Sequence, residues 1–201
     1  MYNITVSEEI KNACPIFKGA AIYAEVINTA FREGLWEEIN AFTKELTSTT
    51  QPEDIKLQPA LAASRYRPSA EALRRRLMRG IDLYQIDTLV DLINLVSLRT
   101  GYSIGGFDAD KIQGNNLELG VGRAEEPFEG IGRGVLNIEG LPVYRDASDH
   151  ERTKMDLGTR HILAIVNGYS GQEGLREAAG MIQELLKKYA SSDGGEIIYF
   201  E

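Results

Sequence analysis

The sequence predicts an α+β fold, with a mixed or antiparallel β-sheet core and flanking helices. Three observations carry the prediction. Helical periodicity dominates the first half, short alternating apolar segments take over after Lys111, and one further amphipathic helix precedes a C-terminal apolar segment. No internal repeat or low-complexity tract interrupts this order.

Residues 20–26 read as a strand. A helix is expected over residues 31–46, where Leu35, Ile39, Phe42 and Leu46 recur at spacings of four, three and four. Ser48, Thr49, Thr50 and Pro52 end it. A second helical region is expected over residues 60–79, interrupted near Pro68. Ser69 is placed to cap its arginine-rich half, Leu73 and Leu77 supply the buried face, and Gly80 closes it.

Over residues 87–99, Leu89, Leu92, Ile93 and Val96 form one stripe, while Val90, Leu95 and Leu98 lie around the rest of the cylinder. A helix apolar nearly all round belongs in the interior. Thr100-Gly101 ends it, and residues 101–106 are expected as a loop or short strand. Strands follow at residues 117–121, 135–138 and 142–144, the last two joined as a hairpin through the turn pair Glu139-Gly140. Residues 161–166 read as a strand and residues 171–189 as a helix burying Ala178, Ile182 and Leu185. Residues 196–200 form a final strand.

With 201 residues, 43% of them hydrophobic and 26% charged, the composition is that of a folded protein with enough chain to bury a real core. No apolar run approaches the roughly 18 residues that a membrane helix requires. The N-terminus lacks a charged-then-apolar signal pattern, so the cytoplasm is the expected compartment. Cys14 has no second cysteine to pair with, and His150 and His161 are the two histidines. A histidine-rich or cysteine-cluster metal site is therefore excluded, and neither metal nor cofactor is expected.

The net charge of -8 argues against non-specific coating of nucleic acid, DNA included, because such binding is driven by many cations displacing counterions. The average hides an asymmetry. Residues 65–79 carry Arg65, Arg67, Arg74, Arg75, Arg76 and Arg79 against Glu71 alone, so this window holds +5 and the remainder -13. Arg65, Tyr66 and Arg67 mix guanidinium and aromatic groups of the kind that hold phosphates and stack bases, and a local RNA contact is the sharper reading of this stretch. A solvated helix face is the plainer one.

Asn94 lies four residues from both Val90 and Leu98, inside an apolar strip, where an unpaired amide would cost about 1–3 kcal/mol. It is expected to bond a loop backbone or to face a cavity, and Asp91 is read in the same way. Arg152-Thr153, followed by Thr159-Arg160-His161, brings hydroxyl and cation groups into a strand, close to Arg145, Asp146 and Glu151. Turn capping explains most such clusters, and a polar site wall between two predicted strands is the alternative and the best site candidate in the chain. The glycine cluster Gly130-Ile131-Gly132-Arg133-Gly134 precedes a strand rather than a helix, so it reads as a turn and not a phosphate loop. Ser148-Asp149-His150 are adjacent in sequence, which is the wrong geometry for a nucleophile triad.

The run Leu89-Val90-Asp91-Leu92-Ile93-Asn94-Leu95-Val96, then Gly101, then Phe107-Asp108-Ala109-Asp110-Lys111-Ile112, resembles the B3/B4 domain of the phenylalanyl-tRNA synthetase beta subunit. In that family a helix carrying VVDVTNYV leads through a glycine to HAFDADKI. The strand from Leu117 to Arg123-Ala124 resembles the VRRA strand of the family, and Arg152-Thr153 with Thr159 looks more like its stand-alone members. The resemblance spans residues 65–166 and implies one B3/B4-like domain over residues 1–201, with residues 1–60 as an N-terminal strand and helix extension.

The family domain hydrolyses tyrosine wrongly attached to the phenylalanine tRNA. The resemblance carries over Asn94 and Asp108 as pocket residues; the residue reading adds Arg145, Asp146, Thr153 and Thr159 around that pocket and an RNA contact through the arginines of residues 65–79. The family's threonine, histidine and tyrosine-reading glutamate fall at Ile93, Gly105 and near Ile165 here. An apolar wall discriminates a substrate hydroxyl far less than the roughly 10⁴–10⁵ that a hydrogen-bonding site achieves. The first expectation is thus a protein that binds a tRNA or aminoacyl-tRNA 3′ end. The alternatives are a metal-independent hydrolase that deacylates mischarged tRNA in trans, and a small-molecule or protein-interaction domain that has lost RNA binding.

Overall fold

The computed structural model describes residues 2–50, 69–132, 134–145 and 151–201. Strand β1 (Asn3–Val6) leads to helix α1 (Glu8–Ala13), strand β2 (Lys18–Glu25), and helices α2 (Glu33–Thr49), α3 (Ser69–Met78) and α4 (Thr88–Thr100). Then come β3 (Ser103–Asp108), β4 (Asn116–Val121), the two-residue strands β5 (Glu129–Gly130) and β6 (Gly134–Val135), and β7 (Pro142–Arg145). Strand β8 (His161–Gly168), helix α5 (Leu175–Tyr189) and strand β9 (Glu196–Phe200) complete the chain. The α+β expectation, with a mixed and antiparallel sheet core and flanking helices, holds.

The main sheet has the order β3-β8-β2-β9, with every neighbouring pair antiparallel. Its two central strands are buried on both faces, which is why they read as nearly unbroken apolar runs rather than alternating ones. Ala20, Ile22, Ala24, Ile162, Ala164 and Val166 point to one side, where α4 and α5 supply Leu89, Leu92, Val96, Ala178, Ile182 and Leu186. Ala21, Leu163 and Ile165 point to the other, against Ile4, Val6, Leu117 and Leu119 of a second sheet ordered β1-β4-β7. Helices, main sheet and small sheet thus stack in three layers around two main cores, with a third small cluster of Phe128, Ile138 and Val143. Among the described residues no helix is long and apolar enough to cross a membrane.

Several sequence expectations change. β1 and α1 have no counterpart in the sequence reading: Ser7 caps α1 by accepting from Ile10 N, and β1 pairs in parallel with β4. β2 pairs with both β8 and β9, which places an N-terminal strand inside the main sheet. The expected hairpin of residues 135–138 with 142–144 does not form. Val135 pairs with Glu129, whereas β7 pairs with β4. The Glu139-Gly140 turn is present, but Gly140 N donates to Gly122 O and Gly122 N to Leu141 O, so the turn serves the end of β4. Within the glycine cluster, Gly130 of β5 pairs with Gly134 of β6, and Ile131 and Gly132 are turn residues.

Helix α5 starts at Leu175 instead of residue 171, because Gly171 and Gly174 stand at φ +95° and +77°, outside helical space. In α3 the buried residues are Ala70, Glu71 and Leu77, and Leu73 is only half-buried. Residues 101–106, left between loop and strand, mostly enter β3. A Cβ at its Gly106 would lie 2.6 Å from Ile93 Cδ1 and 2.7 Å from Met155 Cε, so those two side-chain ends would have to shift to admit one.

Candidate functional site

The site is built on α4. Asp87 caps its first turn, its side chain accepting from Val90 N at 2.9 Å, and Gly101 closes it in the left-handed conformation at φ +79°. Nine of its thirteen residues are buried. Asp91 is among them, 1% exposed, and accepts from Trp36 Nε1 at 2.7 Å and from Ile86 N at 3.1 Å. Burial pushes its carboxyl up to about 6, and the two hydrogen bonds pull against that shift. Asp91 thus serves as a structural acceptor that ties α2 and the segment before α4 to the helix.

Asn94 differs from Asp91. It is half-buried, and its amide has no hydrogen-bond partner among the described residues. One turn later on the same face stands Ser97, 1% exposed, with an Oγ that is likewise unpaired. Helix α3 packs against α4, burying Ala70, Glu71 and Leu77 with Arg74 half-buried. Arg74 Nη2 donates to Leu98 O at 2.6 Å and so satisfies a carbonyl in the last turn of α4, while burial lowers the guanidinium's proton affinity. Glu71, with its side chain 4% exposed, pairs through Oε1 with Arg75 Nε at 2.5 Å.

At this junction of α3, α4 and β3 the usual satisfaction of buried polar atoms fails. Ser69 Oγ, Glu71 Oε2, Arg74 Nε, Ser97 Oγ and Ser103 Oγ are all buried without a hydrogen-bond partner. These five are every such side-chain atom among the described residues, and all belong to these three elements.

Asp108, Thr153 and Thr159 come together elsewhere, at the far end of β3. Thr159 Oγ1 donates to Asp108 Oδ2 at 2.9 Å and accepts from Asp156 N at 2.9 Å, and Asp108 N donates to Thr153 O at 2.8 Å. Asp108 Oδ1 accepts from Asp110 N at 3.2 Å, and Lys111 Nζ sits 3.1 Å from Asp108 and 2.7 Å from Asp156. Asp156 chiefly, and Asp108 after it, raises the Lys111 pKa. All three predicted residues are at most 2% exposed. Their network joins β3 to the turn before β8, and Asn94 takes no part in it.

Arg145 lies in β7 with its backbone paired to Glu118. Asp146, Arg65 and Arg67 fall outside the described residues. Of the remaining arginines, Arg76 donates to Asp82 O at 2.6 Å and stacks 3.8 Å over the Tyr84 ring, and Arg79 donates to Arg75 O at 3.3 Å. Arg74 to Arg76 are therefore each engaged within the chain. Sequence reasoning missed Glu71, Ser97 and Ser103. The three-and-four spacing of Ala70, Glu71, Arg74 and Leu77 was the available signal for the first.

Comparison with known proteins supplies the remaining observation. The family model described as the B3/4 domain matches residues 61–189, more than half of the chain. The phenylalanine--tRNA ligase beta subunit of Bartonella henselae is 32% identical over 105 residues, covering 47% of this chain and 13% of that protein. The crystal structure of an N-terminal fragment of the phenylalanyl-tRNA synthetase beta subunit from Pyrococcus horikoshii superposes with a TM-score of 0.53 at 15% identity, over 98% of this chain and 51% of that one. The latter likeness is one of fold. The chain spans a small part of the curated relative's length and about half of the solved fragment.

Proposed function

The chain belongs to the B3/4 domain family, and from that premise we propose that it binds the aminoacyl-bearing 3′ end of a tRNA in the junction between α3, α4 and β3. The observation that carries this reading is that the five buried, unpaired side-chain atoms named above all belong to these three elements, and that one of them, Ser97 Oγ, stands one helical turn from Asn94. Leaving such groups unpaired costs about 1–3 kcal/mol each, and a polar ligand removes that cost by pairing them. Asn94 is assigned to the ligand, and Asp108, Thr153 and Thr159 to holding the strands that frame it.

The arginines of α3 enter this reading differently from a phosphate-binding patch. Arg74, Arg75 and Arg76 are committed to Leu98 O, Glu71 and the Asp82–Tyr84 segment, so recognition rests on the terminal aminoacyl adenosine more than on the tRNA body. The test is calorimetric titration with a 3′-aminoacylamino-adenosine, a non-hydrolysable mimic of the charged end, against adenosine alone. The expected result is binding of the mimic that is at least about tenfold tighter, with Asn94→Ala abolishing the difference. Equal or absent binding refutes the reading.

The net charge of -8 and the engaged arginines favour a second reading, a small-molecule site without RNA. It predicts that an amino acid ester lacking the nucleoside binds as tightly as the mimic.

A further inference from the structure

We infer that the chain pairs with a second copy of itself through the free edge of β9, joining two main sheets into one continuous sheet about a two-fold axis. Val26 N donates to Arg160 O one step beyond the β2–β8 ladder, so in β2 the even-numbered residues bond to β8, and Gly19, Ala21 and Tyr23 bond to β9. Their partners are Phe200, Ile198 and Glu196, which leaves Ile197 and Tyr199 with N–H and C=O groups turned outward. Among the described residues no hydrogen bond reaches those groups. The opposite edge of the sheet differs, since Asp108 N of β3 donates to Thr153 O at 2.8 Å.

An exposed edge strand templates pairing with another chain, and proteins guard such edges with lysine, proline or a bulge. β9 carries none of these along Glu196-Ile197-Ile198-Tyr199-Phe200, its one charge is at the first position, and Tyr199 is 50% exposed. An antiparallel copy centred on Ile198 sets Ile197 opposite Tyr199 of the partner subunit, and Tyr199 opposite the partner's Ile197. Each of these pairs exchanges both backbone hydrogen bonds, because the outward groups lie symmetrically about Ile198. Glu196 then faces Phe200, and Glu201 faces Gly195, so no like charges meet directly. A cavity of about 770 Å³ at the C-terminal end of β9 leaves room for the partner's turn into its own β9. Arg176, which lines that cavity and lies 5.7 Å over the Tyr199 ring, is the cation there for the exposed carboxylate of Asp193 of the partner subunit. The cavity's other charged groups are Glu173, Glu177 and the Lys18–Glu201 pair. An unrelated strand could take the backbone bonds, but the two-fold match of side chains selects a second copy.

Sedimentation velocity of the full chain from about 1 μM to about 1 mM reads the assembly. The expected result is a concentration-dependent dimer that is lost in Tyr199→Lys, which puts a charge on the edge. It is lost also in Ile197→Pro, which removes an outward N–H and spares the bonds to β2. Ile198 faces its own counterpart in a non-hydrogen-bonded pair with Cα atoms about 4.5 Å apart, so Ile198→Cys should form an intermolecular disulfide on oxidation. The wild type, whose Cys14 is buried, should form none. A monomer throughout the concentration range, a dimer that persists in Tyr199→Lys, or a dimer of Ile198→Cys that forms no disulfide overturns the inference. Should Ile197→Pro or Ile198→Cys fail to fold, the wild type and Tyr199→Lys decide alone.

Discussion

Trp36 and Asp91 tie two helices together, the indole Nε1 of α2 donating to a carboxylate oxygen of α4 at 2.7 Å with the acceptor 1% exposed. The carboxyl titrates near 6 because of its burial, against an ordinary value of 3.8. A carboxyl raised on folding holds its proton more tightly in the folded state. Its contribution to stability is therefore fully present below about 3.8 and is lost as pH rises through about 6.

Urea unfolding of the wild type and Asp91→Asn across that window measures the effect. The wild type should fall in stability relative to the variant as pH rises from 3.8 to about 6, and the two should then run parallel. A constant difference between them contradicts the assignment.

Glu38 behaves in the opposite sense. It accepts from Lys188 Nζ at 2.5 Å, Tyr189 at 2.5 Å and Arg99 at 3.1 Å, and these partners outweigh desolvation and hold its carboxyl at about 2, below the ordinary 4.5. This stability is present above 4.5 and is lost as pH falls through about 2. After screening by solvent, Glu38→Gln should cost about 1 kcal/mol at neutral pH and nothing in strong acid, as read by chemical denaturation.

Arg74 is part of the fold before it is part of any ligand contact. Arg74→Ala should lower stability by about 1.5–3 kcal/mol, because the Leu98 carbonyl at the end of α4 loses a charged donor. Arg79→Ala, an exposed position, should stay within about 0.5 kcal/mol of wild type. Paired melting curves of the two variants check this, and equal effects would remove the capping role.

Gly106 tests the packing that sets α4 on the main sheet. Gly106→Ala drives a methyl against Ile93 Cδ1 and Met155 Cε, an overpacking expected to cost about 1–3 kcal/mol. Ile93→Val removes one of the two obstructing atoms. The double variant should therefore be more stable than the sum of the single effects, and strict additivity would show that the clash is relieved elsewhere.

The parts of the fold that could be read in the sequence are those whose burial leaves an unambiguous pattern. Ile162 to Val166 is unbroken because β8 is covered on both faces, and α4 is apolar all round because α2, α3, α5 and β3 pack around it. β1 and α1 were unreadable, because α1 buries only Ile10 and β1 finds its partner in β4, more than 100 residues away. Turn chemistry at Glu139-Gly140 marked the turn correctly and misassigned its strands, since tertiary pairing of β7 with β4 overrode the local hairpin. Within the site, Asn94 stood out as an amide among apolar neighbours. Glu71 was hidden by an arginine-rich helix read from Leu73 and Leu77, and Ser97 and Ser103 acquire meaning only once α3 lies across α4.

The most direct measurement is the affinity of the protein for one tRNA in its charged and uncharged forms, taken across a range of salt concentrations. Recognition of the aminoacyl end by the junction of α3, α4 and β3 predicts tighter binding of the charged form at every salt concentration, and a shallow salt slope, because Arg74, Arg75 and Arg76 are already engaged within the chain. Equal affinities for the two forms, or a steep slope shared by both, would contradict it.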